Sequence, residues 1–561
     1  MKTRYIAAMA CFLSAMVSCS LEETSYTQVD MNSYMNDASE AETVLLGVYS
    51  DLGTDGVYKY NLSFYFDLPN DQARAEGNSL TGTRMIPANA YTSTQSEIQT
   101  TWQALYKGIY DANLFIESIS EKMAAYSDSD KAKAEYYIAE ARAIRGLLYF
   151  ELVRWYGHVP LMTSSSQSYL AASELPQADP VNVYEFIEED LKAAADVLPY
   201  AKQDKVRSSN SYRFSKGAVL GLLAKVYATW AGYPIQDTSK WAEASKAAGE
   251  VVKSGQHSLL PDFETLWTNT ANNIWDSRES LIEISFYSAN STTTSSGRIG
   301  KWNGVTAPNG SIRGNQNLAL YRCIPTYLAD WTGYQRDKRW ALSFADYKYT
   351  TSGKAALMTY TDDSGKTVDG TFDMACAEDA KSSYRKAYDN TICPKKWDIE
   401  LYVEDANQVQ DNNYSNVNWY VLRYSDVLLL YAEALNESEG SPDKDAYDAI
   451  NQVRRRGYGF PTGKSSYVAD LSGLDQEEFR QAVRDERGHE LVYEGQRRQD
   501  LVRWGIYPET VAKTYEELMM WEESAADYYQ AANYTKKDKN ELLPIPQREV
   551  DLCGYTQNVG W

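Results

Sequence analysis

The chain has 561 residues and carries 55 Lys and Arg against 77 Asp and Glu, a net charge of −22. So acidic a surface is a poor match for a nucleic-acid backbone, whose binding runs through Lys and Arg displacing counterions, and 43% hydrophobic residues are too many for a disordered chain. The unusual count is tyrosine, 45 Tyr against 13 Phe with 14 Trp, rings that join a flat apolar face to a hydrogen-bonding tip and suit amphipathic ligands as well as ordinary cores.

Residues 1–18 begin with the basic Lys2 and Arg4, continue through an apolar run from Ile6 to Val17 and reach small residues before Cys19, the pattern of an export signal. Met16-Val17-Ser18-Cys19 resembles a bacterial lipobox, with methionine where leucine is usual. That resemblance implies an acylated Cys19 as the first mature residue, and several acyl chains, at about 0.8 kcal/mol per buried methylene, anchor a protein where one does not. Residues 19–35 then read as a flexible tether. No later stretch approaches the roughly 18 apolar residues of a membrane-spanning helix. Cys323, Cys376, Cys393 and Cys553 are widely and irregularly spaced, and with only His158, His257 and His489 for imidazole ligands, neither a zinc site nor a disulfide framework is expected.

Beyond the tether, helical periodicity dominates two regions. Tyr137, Ala141, Ile144, Leu148, Leu152 and Trp155 recur at three- and four-residue steps, as do Tyr184, Ile187, Leu191, Ala194 and Leu198 after an Asp179 N-cap and Pro180. Leu220, Leu223, Tyr227 and Trp230 form the next face, followed past Gly232 and Pro234 by Trp241, Ala244, Ala248 and Val251. A helix ending in aromatics, a short turn and an Ala-rich helix is the shape of a tetratricopeptide-like pair. The arrangement returns with Tyr424, Val427, Tyr431 and Ala434, then Ala446, Ile450 and Val453, and a capping-box start at Asp475 and Glu478. Three long aperiodic segments interrupt the helices, at 67–97, 286–317 and 400–418, rich in Asn, Thr, Gly and Asp. Loops of this length in a compact protein are often functional.

Several runs then match a family: Val421–Asn436 (VLRYSDVLLLYAEALN), Ala449–Arg456 (AINQVRRR), Glu486-Arg487, Glu490–Trp504 (ELVYEGQRRQDLVRW), Leu543–Pro546 (LPIP) and Gln557–Trp561 (QNVGW), with Trp102, Tyr106, Ile109 and Asn113 and the run Glu140–Phe150 in the amino half. Together they resemble the SusD/RagB family of outer-membrane nutrient-binding lipoproteins of Bacteroidetes. The resemblance implies an all-α fold, an α-α superhelix of tetratricopeptide-like helix pairs with a large loop-rich insertion region. It divides the chain into a lipoprotein signal (1–18), the tether from Cys19 (19–35), an amino-terminal SusD-like helical region (36–270) and a carboxy-terminal RagB/SusD region with ligand-binding loops (271–561). It further implies a lipid anchor in the outer membrane, facing the cell exterior, a SusC-like TonB-dependent barrel as partner, and capture of oligo- or polysaccharide without catalysis or a cofactor.

A sugar offers flat C–H faces to aromatic rings and dense hydroxyls to Asn, Asp, Gln and Arg. Residues 286–317 fit that need best, through Tyr287, Arg298, Trp302, Asn303, Asn309 and Asn315. Residues 67–91 come next, with Asp67, Asn70, Asp71, Arg74, Arg84, Asn89 and Tyr91. Third is 405–418 with its Asp411, Asn413, Tyr414 and the adjacent Trp419; its acidic residues alternatively suit a structural calcium ion, without a complete EF-hand-like pattern. Arg423, Asp426, Glu433, Arg497, Arg498 and Asp500 read as structural ion pairs, and Trp102 and Asn113 as core. Three other readings stand beside glycan capture: a peptide-binding lipoprotein of the same family, a tetratricopeptide-type adaptor that grips peptides in its concave face, and a glycoside hydrolase, since paired carboxylates with aromatics also describe hydrolase clefts. No G-x-S-x-G, H-E-x-x-H or P-loop motif is present.

Overall fold

The computed structural model describes residues 34–170, 174–288, 295–309, 316–331, 336–362, 364–404 and 412–561. Helices carry the body: α1 (Ala38–Asp51), α2 (Ser96–Lys122), α3 (Asp128–Tyr156), α4 (Pro180–Val197), α5 (Lys216–Trp230), α6 (Lys240–Lys253) and α7 (Glu264–Ala271) precede a long interruption, and α8 (Tyr424–Glu439), α9 (Lys444–Gly457), α10 (Gln476–Glu490), α11 (Arg497–Arg503) and α12 (Tyr507–Trp521) follow it. Their starts obey local chemistry. Asp179 caps α4 by accepting from the Val181 N–H at 2.9 Å, and Pro180 takes the first helical position, where no N–H is needed. Asp475 and Glu478 accept from each other's backbone N–H at 2.9 and 3.0 Å, completing the capping box at α10.

The helices stack in one line. α1 and α2 lie on α3, α3 on α4, α4 on α5, α5 on α6, and α6 on α8, which packs in turn on α9 and α10. The α6–α8 contact closes the superhelix across the interruption. It is close because of Gly249, where a Cβ would sit 3.0 Å from the Tyr431 ring. Apolar faces read from the sequence are buried, but α3 is buried nearly all round from Tyr137 onward, because α2 and α4 cover it from both sides. Its polar residues are therefore paired: Arg145 with Asp190 at 2.7 Å and with Asn113 at 2.6 Å, Arg154 with Glu151 at 2.6 Å. Asn113 and Trp102 are core residues, 1% and 4% exposed.

The charged carboxy-terminal motifs also lie inside. Glu490, fully buried, accepts from Arg339, Arg423 and Arg456 at 3.0, 2.9 and 2.5 Å. Burial works to raise its pKa, yet the three guanidiniums outweigh burial and hold it far below the usual carboxylate range. Arg487 bridges Asp426 and Asp500 at 2.7 and 2.9 Å, Arg503 joins Glu433 to Asp500, and Arg497 pairs with Asp71 at 2.7 Å. These are the expected ion pairs, with one exception. Arg498 donates to the Phe66, Leu68 and Asn540 carbonyls and to the Tyr91 hydroxyl rather than to a carboxylate.

Between α7 and α8 the chain leaves the stack and builds small two-stranded sheets and helical turns. Ser280–Ile284 pairs antiparallel with Trp419–Arg423, so the insertion begins and ends on one ribbon next to the helices. Ala73–Ala75 pairs with Tyr321–Cys323, tying the 67–97 segment to it. Among the described residues no helix is long and apolar enough to cross a membrane.

Candidate functional site

The turn Gly300–Gly304 is pressed onto the residues Trp397 to Ile399. A Cβ at Gly300, whose φ is +78°, would come within 2.1 Å of Ile399, and one at Gly304 within 2.3 Å of the Trp397 carbonyl, so both positions need glycine. Asn303 Oδ1 closes the turn by accepting from the Gly300 N–H at 2.7 Å. With the glycines and Asn303 inward, Trp302 is left half-buried at the surface. Its indole N–H donates to the Asn413 carbonyl at 3.1 Å, and the Tyr60 ring meets it edge-on at 5.7 Å between centroids.

Arg298 organises the surroundings. Its guanidinium lies 5.3 Å from the Tyr60 ring centroid, 5.5 Å from that of Trp302 and 5.1 Å from that of Tyr414. Asp55 holds it through Nε and Nη2 at 2.9 and 3.3 Å. Burial disfavours the charge on Arg298, but the Asp55 carboxylate more than restores it, so the cation persists. Lys59 adds a second cation, an ammonium 5.1 Å from the Tyr414 centroid, its pKa lowered by burial. Tyr60 in turn stacks on Tyr65 at 4.7 Å, at the start of the π-helical turn Asn61–Tyr65. Three rings from distant segments are thus clamped around one ion pair, with Asp55, Tyr60, Arg298, Trp302 and Tyr414 all partly exposed. Cation–π contacts of this kind contribute about 0.5–1 kcal/mol each at exposed sites, and they fix ring orientation before any ligand arrives. The result is a half-exposed cluster of three aromatic rings around a guanidinium and its carboxylate partner.

A cavity of about 290 Å³ adjoins this region, lined by Leu46, Leu52, Gly53, Phe286 and Ser295, with Glu283 in its wall. Glu283 is buried and accepts from Ser280 Oγ at 2.6 Å and Asn418 Nδ2 at 2.8 Å. No cation pairs with it among the described residues. Burial raises its pKa to about 7 despite those two hydrogen bonds.

The sequence candidates divide sharply. Arg298, Trp302 and Tyr414 come together in the cluster, with the Asn413 carbonyl accepting from the Trp302 indole. Tyr287 is 62% exposed, without a ring contact among the described residues, and Asn309 is exposed at the edge of the segment. Asn315, Asp411 and Cys19 lie outside the described residues. The others are engaged within the fold, by burial or by pairing. Asn303 is 1% exposed and serves its turn. Asn70, also 1% exposed, accepts from the Gln72 and Ala73 N–H groups at 2.8 and 2.9 Å and donates to Asp67. Asp71 is taken by Arg497, Arg84 pairs with Glu76 at 2.8 Å, and Tyr91 stacks on Trp561 at 5.0 Å. Asp67, Arg74 and Asn89 are buried, and Trp419 stacks on Trp397 at 4.8 Å inside the core. Asp55, Lys59 and Tyr60 are the residues that sequence reasoning missed. The signal was the run Tyr58-Lys59-Tyr60 followed by Phe64-Tyr65-Phe66, aromatics denser than one helix face needs. Among the described residues no group of three or more His, Cys, Asp or Glu is arranged to hold a metal ion.

The comparisons give the family of this helical superhelix and its inserted loops. The model of the SusD family matches residues 319–561, and one described as starch-binding associating with outer membrane matches residues 21–228. A solved SusD homolog from Bacteroides thetaiotaomicron is 50% identical, with a TM-score of 0.89 over 95% of this chain and 99% of that one. A SusD-like protein of Formosa agariphila is 25% identical over 98% of this chain and 97% of its own length. The structure of a laminarin-binding SusD-like protein, 24% identical, shares the fold with a TM-score of 0.67 over 93% of this chain and 99% of that one. The chain belongs to the SusD family.

Proposed function

We propose that this protein is a non-catalytic glycan-binding lipoprotein of the outer membrane, anchored through Cys19 and facing the cell exterior, which captures oligo- or polysaccharide and passes it to a SusC-like TonB-dependent barrel. The observation that carries the reading is the Tyr60–Trp302–Tyr414 cluster around the Arg298–Asp55 pair. Pyranose C–H faces pack on such rings, and sugar hydroxyls both donate to Asp55 and accept from Arg298. Because the rings are already immobilised, little side-chain entropy remains to be lost on binding. Membership of the SusD family supports the reading, as do relatives named for laminarin binding and, from Bacteroides fluxus, as a surface glycan-binding protein. Outer-membrane association is supported by the description of the amino-terminal family match.

The test is electrophoresis of the purified soluble form in native gels containing starch, laminarin or other polysaccharides. Retardation by at least one of them, reduced in Trp302→Ala, supports the proposal; mobility unchanged in all of them, with calorimetric binding of oligopeptides instead, favours the peptide-binding reading. Reducing-sugar release on incubation would instead identify a hydrolase.

A further inference from the structure

The inserted loops leave and rejoin the helical body at one place. Ser280–Ile284 runs out of the stack, Trp419–Arg423 runs back in, and the two pair antiparallel. Every residue of both strands is buried. Inside this joint lies Glu283, 4% exposed. It accepts from Ser280 Oγ of its own strand at 2.6 Å and from Asn418 Nδ2, just before the returning strand, at 2.8 Å.

No cation offsets Glu283 among the described residues. The titratable groups facing it are the phenols Tyr212 and Tyr420, whose hydroxyls donate to the Asn273 and Leu266 carbonyls at 2.7 and 3.1 Å. Cations on the surrounding elements are committed elsewhere. Arg423, in the paired strand, gives its guanidinium to Glu279, Glu490 and Glu494. Lys225, on α5, reaches Asp426 at 3.0 Å. Arg213, which lines the same cavity of about 290 Å³, is held by Glu140 and Glu42. A buried carboxyl group without a cation favours its neutral form, and burial places the Glu283 pKa at about 7.

Asn418 ties this acid to the ring cluster. While its Nδ2 donates to Glu283, its Oδ1 accepts from the Phe286 N–H at 3.0 Å and from Asn273 Nδ2 at 2.7 Å. The Phe286 ring lies against Gly297, where a Cβ would come within 2.7 Å of it. Gly297 and Ser415 exchange both backbone hydrogen bonds, at 2.8 and 2.9 Å. One residue beyond that pair, on either side, stand Arg298 and Tyr414, the guanidinium and ring that meet at 5.1 Å.

We propose that this joint is a pH-sensitive device: when Glu283 gives its proton to water, the carboxylate draws water in from the adjoining cavity, the ribbon parts at Asn418 and Phe286, and the Arg298–Tyr414 side of the ring cluster loosens while the helical stack stays closed. The closed joint favours the protonated acid, whereas the open, hydrated joint lets the acid ionise at its ordinary 4.5. Opening is therefore favoured as pH rises through the neutral range. The inference concerns the joint alone and does not depend on the ligand being a glycan.

Hydrogen exchange read by mass spectrometry on the whole soluble protein, without ligand, tests it. Once divided by the intrinsic rate, exchange in peptides covering 280–288 and 412–420 should rise about tenfold between pH 6 and pH 8, while peptides from α3 and α5 stay protected throughout. Glu283→Gln, whose amide keeps both hydrogen bonds and does not ionise, should remove that rise. Glu283→Met, a second variant without the acid, should give the same flat profile. Wild-type ribbon peptides that show no rise, a rise that comes only together with the helices, or one that persists in both variants would overturn the proposal.

Discussion

Residues 67–91 and residues 295–309 are alike in composition, both rich in Asn, Gly and Thr or Ser with a few charges and rings, yet only the second leaves a large ring and a guanidinium together at the surface. In the first, Asp67, Asn70, Gln72, Arg74 and Asn89 are all buried, and the exposed residues are the small ones near its tip, Asn78, Ser79, Thr81, Gly82 and Thr83. In the second, Ser296, Lys301 and Asn303 go in beside the glycines, and Arg298 and Trp302 stay partly exposed. The difference lies in what waits beneath. Under 67–91 is α11, whose Arg498 offers donors to the Phe66 and Leu68 carbonyls and whose backbone N–H reaches Asp67 at 2.9 Å. Beneath 295–304 is the apolar floor of Trp397 and Ile399, which accepts only backbone without side chains. A polar loop is drawn inward when the core supplies unsatisfied polar partners, and its composition alone does not reveal which case applies.

The contrast can be broken most forcefully at Arg498. Arg498→Met leaves the Phe66, Leu68 and Asn540 carbonyls and the Tyr91 hydroxyl without their donor, and a loss of about 3–5 kcal/mol in denaturant unfolding is expected. A loss under about 1 kcal/mol would mean that 67–91 does not depend on α11. Asn70→Ala should cost about 2 kcal/mol, because the hydrogen bonds that shape the Asn70–Ala73 turn disappear together. If that side chain instead served a ligand, binding would suffer and stability would not.

Glu283 allows a test through pH. Its folded pKa of about 7 lies above the usual glutamate value, so the folded protein prefers the protonated acid. That contribution is fully present below about pH 4.5 and is lost as pH rises through about 7. Glu283→Gln keeps both hydrogen bonds, as the amide oxygen accepts from Asn418 and the amide nitrogen donates to Ser280. The variant should lie close to wild type at pH 5 and gain on it by about 2–3 kcal/mol between pH 5 and pH 8. A stability difference that does not change with pH contradicts the burial of an unpaired carboxylate beside the cavity. The smallest stability effect is expected at the surface platform, where Trp302→Ala should cost about 1 kcal/mol or less, as the ring is only half-buried.

Much of the helical body was legible because its signals are local. A cap such as Asp179 with Pro180, or Asp475 with Glu478, acts within three residues, and the periodic faces of α4 to α6 and α8 to α9 are written over single helices. The buried charges of the carboxy-terminal motifs were also readable, because cations and carboxylates alternate there at helical spacing. The candidate site was legible only in part. Trp302 and Arg298 stood out against their neighbours, but Asp55 meets Arg298 across 243 positions and Asn413 meets Trp302 across 111, and no local pattern encodes such convergence. The inward fate of Asn70, Asp71 and Tyr91 was hidden for the same reason, since their partners Asp67, Arg497 and Trp561 include two from the far end of the chain.

The most direct test of the platform is titration of a polysaccharide that retards the wild-type protein into wild type and into Trp302→Ala, followed by calorimetry and with both proteins shown to be folded by circular dichroism. The account predicts that the variant loses more than about 1 kcal/mol of binding free energy, at least a fivefold weaker affinity, while its unfolding changes little. Equal affinity in the two proteins would contradict the claim that the rings clamped around Arg298 and Asp55 hold the ligand.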